Sequence, residues 1–251
     1  MVGAGRSGAA SSTLEVYAAA SLARPLDAVA HAYADLRPGT TLAVSADSSA
    51  ALATKIEQGA RPDLFLAADT ANPARLAADG LVDRPVDFAT NSLAIVVPEG
   101  NPGHVASPAD LARPGLKVIA AGPQVPITRY ASRLVENLSS QDGYPGDFAA
   151  RYERNVVSRE DSVAGILAKV TVGEGDAGIV YATDARASAD VETIPIPGRA
   201  NVEARYAGAV VRGTPAGPSA AAFLAWLAGA RGQAALGPLG FGPPAATSTA
   251  P

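Results

Sequence analysis

A unit of short apolar strand, small polar loop and amphipathic helix recurs along this chain, and that repetition leaves few folds open. Leu14 to Tyr17 is a brief β-like run, after which Leu22, Leu26, Val29, Ala30 and Tyr33 recur at helical spacing. Ser21 is predicted at the helix N-cap. Pro25 falls in the first turn, where its missing N–H costs little, and Arg37-Pro38-Gly39 closes the segment. The unit repeats with a strand over Thr41 to Ser45, the loop Asp47-Ser48-Ser49, and a helix carrying Leu52, Ala53 and Ile56 that stops at Gly59. Asp63 to Ala67 reads as a third strand, with Asp69 or Asn72 capping a short helix that ends at Gly80.

Asn91 to Pro98 (NSLAIVVP) is an apolar strand long enough to cross between two lobes. The alternation then resumes: a helix around Pro108 to Ala112, the strand LKVIAAG, a helix through Tyr130, Leu134 and Leu138, and a strand at Asn155 to Ser158. Ser162 to Val172 reads as a helix, Asp176 to Tyr181 and Ala204 to Val211 as strands, and Pro218 to Ala230 as a helix. This order predicts α/β architecture, mainly parallel sheets with helices on both faces. A length of 251 residues allows one large domain or two lobes of roughly 100 to 130 residues each. Two lobes is the reading adopted.

Composition narrows the function classes. No apolar run approaches the ~20 residues of a membrane-spanning helix, and a charge of -4 with scattered basic residues argues against a nucleic-acid surface. The absence of cysteine excludes disulfides, thiolate metal sites and a cysteine nucleophile. Residues 1–13 lack the apolar stretch of a signal peptide and are expected to be a disordered tether. Residues 244–251 are expected to be a disordered tail.

In an open α/β sheet, ligands bind outside the carboxyl ends of the strands. Four loops sit there: AAAS before Leu22, DSS before Ala50, QVPIT before Arg129 and EDS before Val163. None carries a lysine, and each offers free backbone N–H groups at a helix start. The first helical turn has unpaired donors and roughly +0.5 of charge, so several helix starts converging on one point form an anion site without cationic side chains. Taken singly, a serine at a helix start is ordinarily only a cap.

Other chemistries are poorly served. A serine hydrolase would need Ser21 or Ser48 as nucleophile with His31 or His104 as base. No G-x-S-x-G elbow exists, His31 lies within a helix facing solvent, and His104 follows Pro-Gly in a loop. No His-x-x-x-His pair, Walker loop or G-x-G-x-x-G occurs, and GEGDAG at Gly173 to Gly178 is a helix-to-strand turn.

YAAASL, DSSALATKIEQGARPDLFLAAD, NSLAIVVP, VPITRYA, REDSVAGILAKV and GEGDAGIVYATDA resemble, in order and spacing, the molybdate-binding proteins of bacterial ABC transporters. The likeness runs from about Leu14 to Phe241. It implies a type II periplasmic-binding-protein fold: two α/β lobes, 14–90 with 195–243 and 91–194, closing on a tetrahedral oxyanion in the cleft between them. By motif, it implies that Ser21 and Ser48 donate hydroxyl and amide, Ile127 and Val163 donate backbone amides, and Tyr181 donates its phenolic O–H.

The chain departs from the family at Ile127-Thr128, often Ala-Gly, and at Ala164, often Arg; Thr128 is expected to add a hydroxyl contact. Asp47 stands where relatives carry a small residue, and it is expected to turn away from the ligand. The resemblance further implies capture of molybdate and tungstate for import, no enzymatic activity, no cofactor, a membrane permease as partner, a monomer, and an extracytoplasmic location. A receptor for sulfate is the alternative. A fully deprotonated dianion offers only acceptors and suits a cage of neutral donors. Hydrogen phosphate would leave its own O–H unpaired at a cost of about 1 to 3 kcal/mol. Sulfate has the right charge but shorter bonds, so only cavity size rejects it.

Overall fold

The computed structural model describes residues 12–245. Of the expected tether and tail, residues 1–11 and 246–251 lie outside the described residues. Ser12 and Thr13 correct the tether's boundary, because they already belong to the first strand, paired with Thr40 and Thr41.

The chain first lays down β1 (Ser12–Ala19), β2 (Thr40–Asp47), β3 (Leu64–Ala67) and β4 (Val86–Asn91), with helices α1 (Ala23–Leu36), α2 (Ser49–Glu57) and α3 (Ala71–Ala78) between them. It then crosses into a second sheet of β5 (Leu93–Pro98), β6 (Val118–Ala121), β7 (Val156–Glu160), β8 (Ala177–Tyr181) and β9 (Val191–Ile194). Helices α4 (Pro126–Ser139), α5 (Phe148–Asn155), α6 (Val163–Thr171) and α7 (Ala182–Arg186) belong to this part. The chain returns as β10 (Ala204–Val210) and finishes with α8 (Gly217–Ala228) and α9 (Ala230–Leu236).

The sheet orders are β2-β1-β3-β10-β4 and β7-β6-β8-β5-β9. In each, one strand runs against the other four: β10 is antiparallel to β3 and β4, and β5 is antiparallel to β8 and β9. The reversed strand is in each case the one that has just arrived from the other lobe.

The predicted strand over Asn91 to Pro98 is two strands in different sheets. Asn91 pairs with Ala204 and Leu93 pairs with Tyr181, so the crossing falls on Ser92. The helix expected at Pro108 to Ala112 is a 3-10 turn fastened by a Ser107–Asp110 capping box. The helix expected over Pro218 to Ala230 breaks at Gly229 into α8 and α9.

Side-chain alternation decides where the core sits. All four β3 residues are buried, as in a sheet covered on both faces. Leu64 and Leu66 pack into the main cluster with Leu26, Val29 and Phe223, while Phe65 and Ala67 face a second cluster with Leu52, Ile56 and Leu76. Asp63 of the DLF motif is buried at the start of this strand. Its carboxylate accepts from the Glu15 N–H at 2.8 Å and from the Thr214 hydroxyl, tying β1 and the segment after β10 together.

Candidate functional site

The parallel strands of both sheets aim their carboxyl ends at one small cavity. Ser21, Ser48, Ile127, Val163 and Tyr181 all line it, together with Ser49 and Ala68. The four loops singled out in the sequence therefore meet in space, two from each sheet. The cavity measures about 10 Å³, room for about one water-sized body. None of its lining residues is charged. A wider groove of about 650 Å³ passes between α1 and α6 and shares Ser21 with the cavity, but it is lined by charged side chains, Arg24, Asp184, Arg186 and Asp190.

Each lining residue is set by the way its helix begins. Ser48 is the N-cap of α2, and its Oγ accepts from the Ala51 N–H at 3.2 Å, which leaves the hydroxyl proton free to donate. Its own N–H donates to Asp47 Oδ1 at 2.7 Å, so the expected amide contribution from Ser48 is not on offer. Asp47 does not line the cavity and pairs with Lys55 at 2.9 Å. Burial works to raise the Asp47 carboxyl, but bonds from Lys55 and the Ser48 N–H outweigh it and hold the group below its usual value. Ile127 is the second residue of α4, after Pro126, and Val163 is the first residue of α6. Both N–H groups belong to the first turn, which has no acceptor within its own helix.

Ser21 is placed differently from the expectation. It lies inside a 3-10 turn, Ala20–Leu22, and makes no cap bond. The strand runs two residues further than predicted, to Ala19, so the tight turn replaces a free loop. Ser21 Oγ lies 2.9 Å from the Tyr206 phenolic oxygen, a contact 185 residues away in sequence.

Tyr181 ends β8, and its ring is buried. The phenol donates to the Ala68 carbonyl at 3.4 Å, joining the two lobes across the cavity. Burial, with the neighbouring Tyr206, Tyr130 and acidic groups, pushes its titration well above the usual value, so it remains a donor.

Thr128 is not brought to the cavity. Its hydroxyl donates to the Gly122 carbonyl at 2.7 Å and faces a separate crevice beside Ala120 and Ile166. At the third position of α4 it points back along its own turn, which corrects the expected additional contact. His31 and His104 are exposed and line no part of the cavity. No cluster of metal-ligating side chains occurs among the described residues.

Sequence reasoning missed Tyr206, Asn91 and Ser49. Ser49 Oγ accepts from the Ala68 N–H at 3.0 Å and holds the cavity wall; its place in the DSS loop was the available signal. Tyr206 and Asn91 lie in strands, where they read as ordinary core and crossing residues.

Residues 14–242 match the sequence profile of bacterial extracellular solute-binding proteins. The molybdate-binding protein ModA of Mycobacterium bovis is 37% identical over 234 residues, covering 92% of this chain and 85% of that protein. Among solved structures, the periplasmic molybdate-binding protein of Azotobacter vinelandii superposes with a TM-score of 0.77 at 22% identity, covering 92% of this chain and 99% of that one. The sulfate-binding protein SubI of Mycobacterium tuberculosis gives 0.80 at 23% identity, covering 94% and 88%. Both structures share the two-lobed periplasmic-binding-protein fold with this chain. With a profile spanning nearly all the described residues and a cleft built where such folds hold their ligands, this chain belongs to the family of bacterial extracellular solute-binding proteins.

Proposed function

We propose that this chain captures molybdate, and with it tungstate, outside the cytoplasm and delivers the anion to the permease of an ABC transporter. The observation that carries the reading is the gathering of Ser21, Ser48, Ile127, Val163 and Tyr181 from both lobes around one uncharged cavity. The 37% identity to a protein named for molybdate binding supports the choice of anion.

The chemistry follows from the donor set. Hydroxyls of Ser21, Ser48 and Tyr181 and the first-turn amides of Ile127 and Val163 supply protons and no negative charge. A tetrahedral dianion offers acceptors on every corner, so each donor is matched. Helix starts add positive potential without the strong hydration of a lysine. Residues 14–91 with 195–243 act as one lobe and 92–194 as the other, and the lobes hinge at the two crossings. The boundary falls one residue later than expected because Asn91 pairs with Ala204 in the first sheet. A tetrahedral oxyanion is wider than a water, so it enters when the lobes part. It gains its full set of contacts only when they close, and this shifts the population toward the closed form. The chain acts as a monomer, and the permease reads the closed shape.

Titration calorimetry of the purified chain with molybdate, tungstate, sulfate and phosphate tests the reading. Molybdate and tungstate are expected to bind with similar affinity, well ahead of sulfate and phosphate. Sulfate as tight as molybdate would replace the assignment with a sulfate receptor.

A further inference from the structure

We propose that Tyr206 and Asn91 are positioning residues that fix the direction of the Ser21 hydroxyl, so that the cavity presents it to a guest as a donor. The inference rests on the oxyanion reading above and specifies how one of its donors is set. Asn91 closes β4 and Tyr206 lies in β10, neighbouring strands of the first sheet, with Asn91 next to the crossing at Ser92.

The direction starts at the backbone. The Ser92 N–H can only donate, and it donates to Asn91 Oδ1 at 2.9 Å, which puts the amide nitrogen on the opposite side. Asn91 Nδ2 carries two protons and donates to Thr183 Oγ1 at 2.8 Å and to the Tyr206 phenolic oxygen at 3.3 Å. Tyr206 has one proton of its own. With Asn91 donating to it, that proton goes to Ser21 Oγ, 2.9 Å away. Ser21 thus accepts from behind, and its remaining proton has no other acceptor among the described residues and is left for the cavity it lines.

The surroundings hold this order in place. Ser21, Asn91, Thr183 and Tyr206 are all buried, so bulk water does not scramble the chain. The Tyr206 ring sits edge-on against Tyr181 and Phe241 at 5.5 Å and Phe88 at 6.1 Å, which keeps its hydroxyl on line. Thr183 belongs to the second lobe, so the chain of bonds also spans the cleft. A proton-free dianion meets a hydrogen at Ser21, as it requires. Hydrogen phosphate, turning its own O–H toward Ser21, meets hydrogen against hydrogen.

Calorimetry on Tyr206→Phe, Asn91→Asp, Ser21→Ala and the double variants, with molybdate, sulfate and phosphate, tests the relay. Tyr206→Phe is expected to weaken molybdate and sulfate by the same factor, about ten-fold, and phosphate by less. In a Ser21→Ala background the same change costs nothing further, because Tyr206 acts through Ser21. Asn91→Asp keeps the shape and the Ser92 contact but gives Tyr206 an acceptor. The phenolic proton then turns away, Ser21 donates to Tyr206, and molybdate binding falls further than in Tyr206→Phe.

Wild-type affinity and selectivity in Tyr206→Phe, or losses that add to those of Ser21→Ala, overturn the relay while leaving the molybdate reading in place. A wild-type chain that binds none of the three anions removes both. If Tyr206→Phe shows no cooperative melt, Asn91→Asp in the presence and absence of Ser21→Ala decides on the same additivity.

Discussion

The Tyr181 phenolic oxygen and the Ala68 carbonyl oxygen lie 3.4 Å apart across the cleft, a single long hydrogen bond between one lobe and the other. A phenol has one proton, so Tyr181 cannot serve Ala68 and an anion together. A contact this long is weak, and the exchange for a charged acceptor is favourable. Tyr181→Phe is therefore expected to weaken molybdate binding about ten-fold with little change in melting temperature. Calorimetry and thermal denaturation on the same sample check this, and undiminished affinity would place the phenol outside the binding set.

Ser21 and Ser48 each offer one hydroxyl proton to the cavity by different routes, one through a tertiary contact and one as a helix cap. The double change Ser21→Ala with Ser48→Ala is expected to reduce molybdate affinity by roughly 2 to 6 kcal/mol, taking about 1 to 3 for each lost contact. The lost cap at Ser48 also lowers stability by about 1 kcal/mol, so binding and unfolding are measured separately. Equal affinity in the two proteins would mean the anion sits elsewhere.

Asp184 stands at the third position of α7, with its Oδ2 buried and without a partner among the described residues. Burial raises its carboxyl from 3.8 to about 7, against the opposing pull of the Tyr181 N–H and Arg24. A raised acid is bound to its proton more tightly in the fold than in the unfolded chain. Its contribution is therefore complete below about pH 4 and is lost as the pH rises through about 7. At about 1.36 kcal/mol per pH unit, the ceiling is about 4 kcal/mol. Asp184→Asn should leave urea stability at pH 4 nearly unchanged and raise it at pH 8. A variant whose difference from wild type is the same at both values refutes the assignment.

Asp63 holds β1 and Thr214 with the two oxygens of one buried carboxylate. An amide in its place accepts at only one oxygen, so Asp63→Asn is expected to destabilise by about 1 to 3 kcal/mol without changing anion selectivity. Chemical denaturation measures the first and competition calorimetry the second. Loss of selectivity would give this motif a role in the cleft that its position does not suggest.

Much of the architecture was legible because alternation of period 2 and period 3.6 is a local property. Leu52, Ala53 and Ile56 on one helical face, or the continuous apolar LFLA of β3, announce themselves within a few residues. What escaped was either short or set by distant partners. VETI of β9 and FAARYERN of α5 are brief and half polar, as edge strands and outer helices are. The break at Ser92 carries no glycine or proline, because the chain turns there under the pull of pairing to Ala204 on one side and Tyr181 on the other. Ser21, Ser48, Ile127, Val163 and Tyr181 could be gathered by motif, yet the cap rule misplaced Ser21, since its partner lies 185 residues away. Thr128 was misread because a threonine near a helix start serves the loop behind it as readily as the space in front.

The position of β10 between β3 and β4 has a consequence for how the molecule comes into being. A nascent chain emerging from the ribosome holds every strand of the second sheet once Ile194 is out, but the first sheet remains in two pieces until Val210 follows. The half that begins first is therefore completed last, because the returning β10 is the strand that joins β4 to the rest of its sheet.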